Sequence, residues 1–311
     1  MADTSELAGR ADAFGSDGRL RRAYVTARAY FLLTKPRVIE LLLVTTVPAM
    51  ILAAGELPSL TLIAEVLVGG ALAAGGANTI NCWIERDRDQ VMGRTRNRPL
   101  PTGAVSPDAA LVFGLLLEAG AFALLWATVN LLSAALAVGA MLFYVFVYTI
   151  WLKPRSPQNI VIGGAAGAVP VLVGWASVTN ELAAAAWVLF AIVFFWTPPH
   201  FWALSLRYFD DYKRAGIPML PVAKGIPRAL TEIVVYSFVV VACTLALPAV
   251  SDVGAIYVVA AVTLGVMFIV QSIRLARGYT PERAIRFFTM SNTYLALLFA
   301  AVAVDTIVQS I

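Results

Sequence analysis

Long apolar segments, separated by short polar ones, make up almost the whole chain. A helix needs about 20 mostly apolar residues to cross the ~30 Å hydrocarbon core of a bilayer, and each of these segments is of about that length. Leu, Val, Ala and Gly follow one another without the alternation of a half-buried strand, which favours helices. The pattern predicts an all-α integral membrane protein with nine transmembrane helices, near residues 37–54, 60–82, 107–127, 131–152, 160–178, 183–206, 229–248, 253–273 and 287–309.

The composition is that of a membrane protein and leaves no room for a separate soluble domain. The 311 residues are 60% hydrophobic and 14% charged, with a mean hydropathy of +0.80. Soluble domains are about half apolar and about a quarter charged. Residues 1–30 mix acids with arginines and contain no apolar run, so we predict a polar cytoplasmic tail and not a signal peptide. Residues 31–311 are predicted to form one intramembrane domain.

The basic residues predict which side of the membrane each loop faces. With the N-terminus in the cytoplasm, all 23 Lys and Arg residues fall on the cytoplasmic side, whereas the opposite loops carry only acids such as Glu56, Glu181 and Asp252. This is the positive-inside bias of membrane proteins. The long charged loops are therefore predicted to be cytoplasmic. The net charge of +4 marks this membrane face and does not indicate a nucleic-acid partner.

The first long charged loop, residues 83–106, begins as an extension of the second apolar helix. Asn81, Glu85 and Asp89 follow at intervals of four residues, so they share one helix face. Oxygen-bearing side chains stacked in this way suit a hard divalent cation such as Mg²⁺, which completes its shell with water and substrate phosphates.

Arginines surround these oxygen donors and can bind phosphate in a bidentate fashion; they are Arg86, Arg88, Arg94, Arg96 and Arg98. Acids for a metal and arginines for phosphate together predict a diphosphate site. The alternative is a solvated helix whose acids and arginines form ordinary surface salt bridges near anionic lipid.

A second acidic segment lies on the same side of the membrane, just after the sixth span. Asp211 follows Arg207 by four residues, so we expect both on one helix face, whereas Asp210 is either a metal ligand or a surface charge. If the second and sixth spans are neighbours, the two acidic helix ends can hold cations on one diphosphate and stabilise it as a leaving group. An isoprenoid tail would then lie among the Ala- and Gly-rich spans.

Four stretches resemble the protohaem IX farnesyltransferase (haem O synthase) family of the intramembrane UbiA-type prenyltransferase superfamily. They are LTKPRV at 33–38, NCWIERDRDQVMGRTRNRPLPTG at 81–103, WTPPHFWALSL at 196–206 and DDYKRAGIPMLPV at 210–222. The resemblance extends over nearly all of residues 30–305. It implies a nine-helix bundle around a central cavity in a bacterial plasma membrane, with Mg²⁺ as cofactor and farnesyl diphosphate as donor. It also implies haem b as acceptor, whose 2-vinyl group becomes the hydroxyethylfarnesyl group of haem O, and haem A synthase or oxidase assembly proteins as partners.

The resemblance also implies roles for individual residues. The catalytic and metal-binding set is Asn81, Glu85, Asp89 and Asp211, with Asp210 as a further metal candidate. The family usually has Asp where this chain has Glu85, and the earlier acid of the superfamily's second motif is replaced here by Arg207. The implied diphosphate contacts are Lys35, Arg94, Arg98, Lys153 and Arg155.

His200, the only histidine, lies in the haem-family stretch just after Pro198 and Pro199, which are expected to break the sixth helix. His200 could ligate haem iron or bind a propionate, or it could be a hydrogen-bonded interior histidine. Trp196, Trp202 and Tyr208 could stack on the macrocycle, or belong to an interfacial aromatic belt.

Two other functions stay open from the sequence. One is prenyl transfer to a quinone or another aromatic acceptor, which the same donor site would support. The other is a transporter or lipid-binding scaffold. Transporters place polar residues and broken helices near the bilayer midplane, whereas the charges here gather at one face.

Overall fold

The computed structural model describes the backbone of residues 16–311, and side chains from residue 21 onward except those of residues 37, 38 and 40–43. Residues 1–15 of the predicted polar tail lie outside the described residues. The rest of that tail is not an irregular segment, because helix α1 runs from Ser16 to Leu33. Residues 21–28 of α1 are exposed. The described residues contain no β-strand, as expected of an all-α membrane protein.

The remaining helices correspond closely to the predicted spans. They are α2 (Pro36–Ala54), α3 (Leu60–Val91), α4 (Pro107–Thr128), α5 (Leu131–Leu142) continued by a π-helix (Phe143–Leu152), α6 (Asn159–Thr179), α7 (Ala184–Arg207), α8 (Phe209–Arg214), α9 (Leu220–Lys224), α10 (Ile226–Ala246), α11 (Ala255–Arg277) and α12 (Pro281–Ser310). Within the described residues, eight helices are long and apolar enough to cross a membrane, and α2 contributes the shorter apolar segment Val44–Ala54. The count of nine spans and the cytoplasmic N-terminus stay predictions.

The long helices pack side by side in a closed ring. In the described chain, consecutive helices from α2 to α7 pack against one another, and α7 then packs against α10. Helix α10 packs against α11, α11 against α12, and α12 against α2, which closes the ring. Additional contacts of α2 with α6 and of α7 with α12 tie the ring across its interior. The second and sixth spans of the sequence, α3 and α7, therefore lie in one bundle.

Glycines permit the closest helix contacts. A Cβ added to Gly174 of α6 would lie 2.6 Å from the Thr46 carbonyl oxygen of α2, and one added to Gly76 of α3 would lie 2.8 Å from the Gly114 carbonyl oxygen of α4. Both distances are too short for a side chain. Small residues therefore let these helix backbones approach, as is common in membrane bundles.

An apolar cavity of about 170 Å³ lies between α2, α3, α5 and α6. On α3 it extends from Asn78 down to Val66, twelve residues or about 18 Å along the helix. Small side chains such as Ala73 and Ala137 form much of its wall, and Tyr144 lies at the same end as Asn78. We refer to this space as the apolar cavity.

Helix α7 differs from the sequence prediction at two points. It continues through Pro198 and Pro199, so the predicted break is wrong. Pro198 and Pro199 have no N–H, so the carbonyls of Phe194 and Phe195 lose their usual helical donors. The helix nevertheless stays regular where it packs against α6, with the Phe194 carbonyl beside Gly164.

The helix ends instead at Arg207, because Tyr208 leaves the helical conformation (φ −108°, ψ 32°) before α8 begins. The prediction that Arg207 and Asp211 project from one helix face is therefore wrong. Asp211 belongs to a separate short helix, so its position depends on the packing of α8.

Candidate functional site

The charged end of α3 forms the centre of the candidate site. The helix continues past the apolar stretch to Val91, as the sequence predicts. Asn81, Glu85 and Asp89 lie on its buried face and are only 1%, 4% and 3% exposed. Asp87 points the other way, with its side chain 82% exposed. Buried carboxylates require ionic or hydrogen-bonding partners, so this face cannot be an ordinary solvated helix surface.

Lys35 connects the start of α2 to this face. Its Nζ donates a 2.6 Å hydrogen bond to Asn81 Oδ1. The Lys35 backbone is left-handed (φ 54°, ψ 59°) just before Pro36, a conformation that costs a non-glycine residue about 1–3 kcal/mol. Residues held in this way often belong to functional sites, and here the conformation accompanies the contact with α3.

The two buried acids are paired with basic residues from later segments. Lys153 Nζ lies 2.7 Å from Glu85 Oε2, and Arg98 Nη1 donates to Asp89 Oδ2 at 2.7 Å. Lys153 directly follows the π-helix, and its backbone N–H bonds to the carbonyl of Tyr148, five residues earlier. π-Helical turns occur frequently at functional sites.

The same π-helix supports Asn81. The Asn81 amide nitrogen donates to Thr149 Oγ1 at 3.0 Å, and that hydroxyl donates to the Tyr144 carbonyl at 2.8 Å. The Tyr144 ring stacks on Tyr148 with centroids 5.4 Å apart. Tyr144, Tyr148 and Thr149 could not be predicted as site residues, because they lie within an apolar span whose pattern does not distinguish them from packing residues.

Asp211 lies against the segment that follows α3. One carboxylate oxygen pairs with the Arg214 side chain, and the other accepts the backbone N–H of Arg94 at 3.3 Å. A Cβ added to Gly93 would lie 3.5 Å from both carboxylate oxygens. Thr95 of the same segment bonds to the Asp89 carbonyl. The structure therefore brings the two acidic segments together at one end of the bundle.

The other predicted residues lie at the margin of this cluster. Arg94 is exposed, and its guanidinium lies 5.8 Å from the centre of the Tyr208 ring. Arg155 is exposed, and it donates to the Ile150 carbonyl near the end of the π-helix that precedes it. Asp210 is exposed on α8. Their assigned roles stay predictions.

The cluster carries more positive than negative charge. Burial lowers the pKa of Lys35 to about 8, so most of it is protonated at neutral pH. Burial alone would also lower the pKa of Lys153 and Arg98, but the carboxylates of Glu85 and Asp89 outweigh it, and both pKa values are raised. Three cationic side chains therefore surround two buried carboxylates, an arrangement that favours an additional anion.

The donor set fits Mg²⁺ better than a transition metal. Among the described residues, no three His, Cys, Asp or Glu side chains converge to hold a metal ion by themselves. Asn81, Glu85 and Asp89 offer only amide and carboxylate oxygens. Mg²⁺ takes one or two carboxylates and fills its remaining positions with water and substrate phosphates, so a complete protein cage is not needed.

His200 is enclosed by aromatic rings. It is 9% exposed, its Nδ1 lies 2.7 Å from Ser291 Oγ, and its ring stacks between Trp196 and Phe288 with both centroid distances at 4.2 Å. This is the environment of a hydrogen-bonded interior histidine, one of the two predicted alternatives. The predicted contact with haem is not tested by this geometry.

The two tryptophans are interior residues. Trp196 donates to the Ser291 carbonyl at 2.9 Å, and Trp202 packs edge-on against Tyr236. They are 4% and 1% exposed, so their assignment to an interfacial aromatic belt is wrong. Sequence reasoning missed Ser291 and Phe288 as partners of His200, because they come from α12, far away in the chain.

Comparison with known proteins agrees with this arrangement of helices and charged residues. The profile of the UbiA prenyltransferase family matches residues 42–299. The chain belongs to this family. It is 54% identical over 286 residues to a protein of Frankia casuarinae named protoheme IX farnesyltransferase, covering 91% of this chain and 99% of the relative. A protein of the same name from Salinispora tropica is 50% identical over 298 residues, covering 94% of this chain and 93% of the relative. The predicted family resemblance is confirmed.

Solved structures share the fold. A digeranylgeranylglyceryl phosphate synthase superposes with a TM-score of 0.74 at 16% identity, covering 91% of this chain and 99% of that one. A UbiA homologue from Archaeoglobus fulgidus, bound to GPP and Mg²⁺, gives a TM-score of 0.64 at 19% identity, covering 88% and 99%. At such low identity these similarities show the fold alone, and they support the bundle architecture described above.

Proposed function

We propose that this membrane enzyme transfers a farnesyl group from farnesyl diphosphate to the 2-vinyl group of haem b, giving haem O for terminal oxidase assembly. The observation that carries the proposal is the position of the charged cluster at one end of the apolar cavity. Asn78 lines that cavity and lies one helical turn before Asn81 of the cluster. A charged head and an apolar tail on one substrate fit this arrangement. The extensive identity to protoheme IX farnesyltransferases supports the same donor and acceptor.

The diphosphate head would bind at the charged cluster. Lys35, Arg98 and Lys153 are the strongest candidates for phosphate contacts, because all three are at least partly buried beside the α3 acids. Arg94 and Arg155 are weaker candidates, because both are exposed at the margin. Bidentate Arg contacts and point-charge Lys contacts are the usual means of binding phosphate.

Mg²⁺ would be held by oxygens of Asn81, Glu85, Asp89 and Asp211, with the exposed Asp210 a weaker candidate. When bound, it supplies charge neutralisation for the departing diphosphate. Lys153 and Arg98 already contact Glu85 and Asp89. They can therefore turn to phosphate oxygens as the carboxylates become metal ligands, and neither charge is left unpaired.

The farnesyl tail would lie in the apolar cavity. Its small side chains leave space between α2, α3, α5 and α6, and the wall formed by α3 is about 18 Å long. Tyr144 lines the cavity and also belongs to the π-helix that supports Asn81. Its ring thus lies near the boundary between head and tail, where an aromatic face can stabilise a developing cation.

The chemistry requires no protein nucleophile. The C–O bond to diphosphate breaks and diphosphate leaves with the electron pair, giving an allylic farnesyl cation. The terminal carbon of the vinyl group attacks this cation, a C–C bond forms, and water captures the cation left on the porphyrin-side carbon and loses a proton. The protein stabilises the leaving anion and excludes stray water until carbon attacks.

The haem acceptor is proposed to approach the region of His200, Trp196 and Trp202. The support is the resemblance of residues 196–206 to the haem-specific stretch of the family. Both faces of the His200 ring are covered, so any contact with haem would be made by the edge of the ring. We further propose a bacterial plasma-membrane location with the site on the cytoplasmic face, and haem A synthase or oxidase assembly proteins as recipients of the product.

Anaerobic incubation of the purified protein with haem b, farnesyl diphosphate and Mg²⁺ tests the proposal. Mass spectrometry of the extracted haem should show one added hydroxyl and one added farnesyl group. Unmodified haem together with prenylation of an aromatic acid acceptor would contradict haem as acceptor and favour the quinone-type alternative. Transport of a solute across proteoliposome membranes that needs no diphosphate, with no prenylated product, would favour a transporter.

A further inference from the structure

A second basic region, which shares no lining residue with the charged cluster at the end of α3, lies where α11 and α12 meet. It is a cleft of about 590 Å³ at the hairpin between these helices. Four arginines line it, two from the end of α11 and two from the start of α12; they are Arg274, Arg277, Arg283 and Arg286. No carboxylate is among its lining residues in the described part of the chain. We refer to this space as the arginine cleft.

Three of these arginines have no acidic partner in the cleft. Arg274, Arg277 and Arg286 are exposed, and none of the ion pairs in the described residues involves them. The neighbouring acid Glu282 is exposed in the first turn of α12, within electrostatic reach of Arg286 and Arg207. One acid cannot neutralise four arginines, so the cleft keeps a net positive charge.

The fourth arginine, Arg283, is held in place by the hairpin, and two apolar side chains form the floor of the cleft. Arg283 Nη1 donates to the Gly278 carbonyl at 2.7 Å, which ties the guanidinium to the hairpin. A side chain at Gly278 would collide with that guanidinium. Phe287 and Met290 line the cleft on the apolar side. The positive-inside bias explains basic residues at this end of the bundle, but it does not explain why they converge on one cleft with an apolar floor.

An exposed apolar stripe leads away from the cleft along α11. Val262, Val266 and Val270 precede Arg274 at intervals of four residues, so they lie one above another on the helix surface. They are 47%, 57% and 39% exposed. A molecule with its anionic head at Arg274 could therefore lay an apolar chain along these valines.

The arginine cleft is separate from the predicted acceptor region. The cleft is lined by Arg283, Arg286 and Met290 on one side of α12. His200 contacts Phe288 and Ser291, neither of which lines the cleft. The cleft and the described contacts of His200 therefore share no residue, and competition with haem b tests whether the acceptor enters the cleft.

We propose that the arginine cleft binds the headgroup of an anionic phospholipid, with an acyl chain along the α11 valine stripe. Basic pockets between transmembrane helices recognise such headgroups through their phosphates. The phosphate contacts the guanidinium groups, and the lipid covers apolar surface that the bundle leaves exposed. The proposal concerns a surface outside the prenyl-transfer site and does not depend on the proposed reaction.

Native mass spectrometry can test this with purified protein given equal amounts of phosphatidylglycerol and phosphatidylcholine. The cleft variant combines Arg274→Gln, Arg277→Gln and Arg286→Gln. The matched control combines Arg21→Gln, Arg22→Gln and Arg28→Gln, which removes the same charge from the exposed part of α1. Each arginine near an anionic lipid headgroup raises the binding affinity about fivefold. Loss of three arginines should therefore lower the retention of phosphatidylglycerol by the cleft variant about 100-fold. The control should stay within a few-fold of the unaltered protein.

Three results would overturn the proposal: equal retention of both lipids by the unaltered protein, equal loss in the two triple variants, or displacement of phosphatidylglycerol by equimolar haem b. Circular dichroism of each variant in detergent micelles checks folding independently of the proposed reaction. If the triple variant does not fold, the double variant Arg274→Gln/Arg286→Gln should show about a 25-fold loss, and its retention at the level of the unaltered protein would equally overturn the proposal.

Discussion

Replacing Lys153, the cation paired with Glu85, should lower the free energy of unfolding. Replacing Glu85 as well should restore most of that free energy. Lys153 and Glu85 form a buried pair, with side chains 14% and 5% exposed. Deleting one partner of such a pair costs about 3–5 kcal/mol, because the remaining charge is buried without compensation. Lys35 and Arg98 also act electrostatically on Glu85. We therefore expect the lower end of that range, about 3 kcal/mol, for Lys153→Met.

The double variant Glu85→Gln/Lys153→Met has no uncompensated charge at this position. Replacement of a whole buried ion pair by hydrophobic residues of similar volume is often close to neutral for stability, and Gln at position 85 keeps the shape of Glu without its charge. We expect its free energy of unfolding to lie within about 1 kcal/mol of the unaltered protein. Prenyl transfer should nevertheless be lost in both variants, since each lacks a proposed phosphate contact and the double variant also lacks a proposed metal ligand.

Reversible unfolding in mixed micelles, followed by circular dichroism, measures these differences. A change of about 3 kcal/mol corresponds to more than 100-fold in the unfolding equilibrium, well within the reach of the assay. The matched control is Arg22→Met, which removes a cation from the exposed part of α1 and should change stability by less than about 1 kcal/mol. The reasoning is refuted if Lys153→Met is as stable as this control, or if the double variant is less stable than the single one.

Four further predictions concern other parts of the molecule. Asp89→Asn and Asp211→Asn should each lower prenyl transfer at least about 100-fold with unchanged helicity, because charge stabilisation is lost; near-normal formation of prenylated haem would contradict the assigned roles. Val66→Phe, at the far end of the apolar cavity, should shift the preference from farnesyl towards geranyl diphosphate in a competition assay, and an unchanged ratio would place the tail elsewhere. Chelation of Mg²⁺ should abolish turnover but leave thermal stability unchanged, because the site's carboxylates already have cationic partners; metal-dependent melting would disagree. Asp305→Ala should destabilise the protein by about 1–3 kcal/mol, because its buried carboxylate accepts backbone N–H groups at the start of α11, while turnover per folded molecule stays constant.

Much of the fold could be predicted because its determinants are local. A span is recognised from about 20 consecutive apolar residues, and the helix bounds differ from the predicted ones by only a few residues in most cases. The face shared by Asn81, Glu85 and Asp89 follows from helical periodicity alone. Both properties depend on residues that are neighbours in the chain.

The partners of these residues could not be predicted, because they come from other helices. Lys35 and Asn81 are 46 positions apart, and Lys153 and Glu85 are 68 apart. The π-helix that positions Lys153 lies in a uniformly apolar segment, and its different hydrogen-bond register leaves no signature in the hydrophobic pattern. Sequence reasoning therefore identified the charged residues without showing which of them pair.

The sequence alone determined the membrane class, the approximate spans and the oxygen-bearing face of α3, because hydrophobicity and helical period act over one or two turns. Only the tertiary structure decided that α7 continues through Pro198 and Pro199, where it packs closely against α6 at Gly164. It also decided that Asp211 meets the segment after α3 through the turn at Tyr208. These features depend on how helices pack against one another, and the energy of packing is not encoded in any single segment.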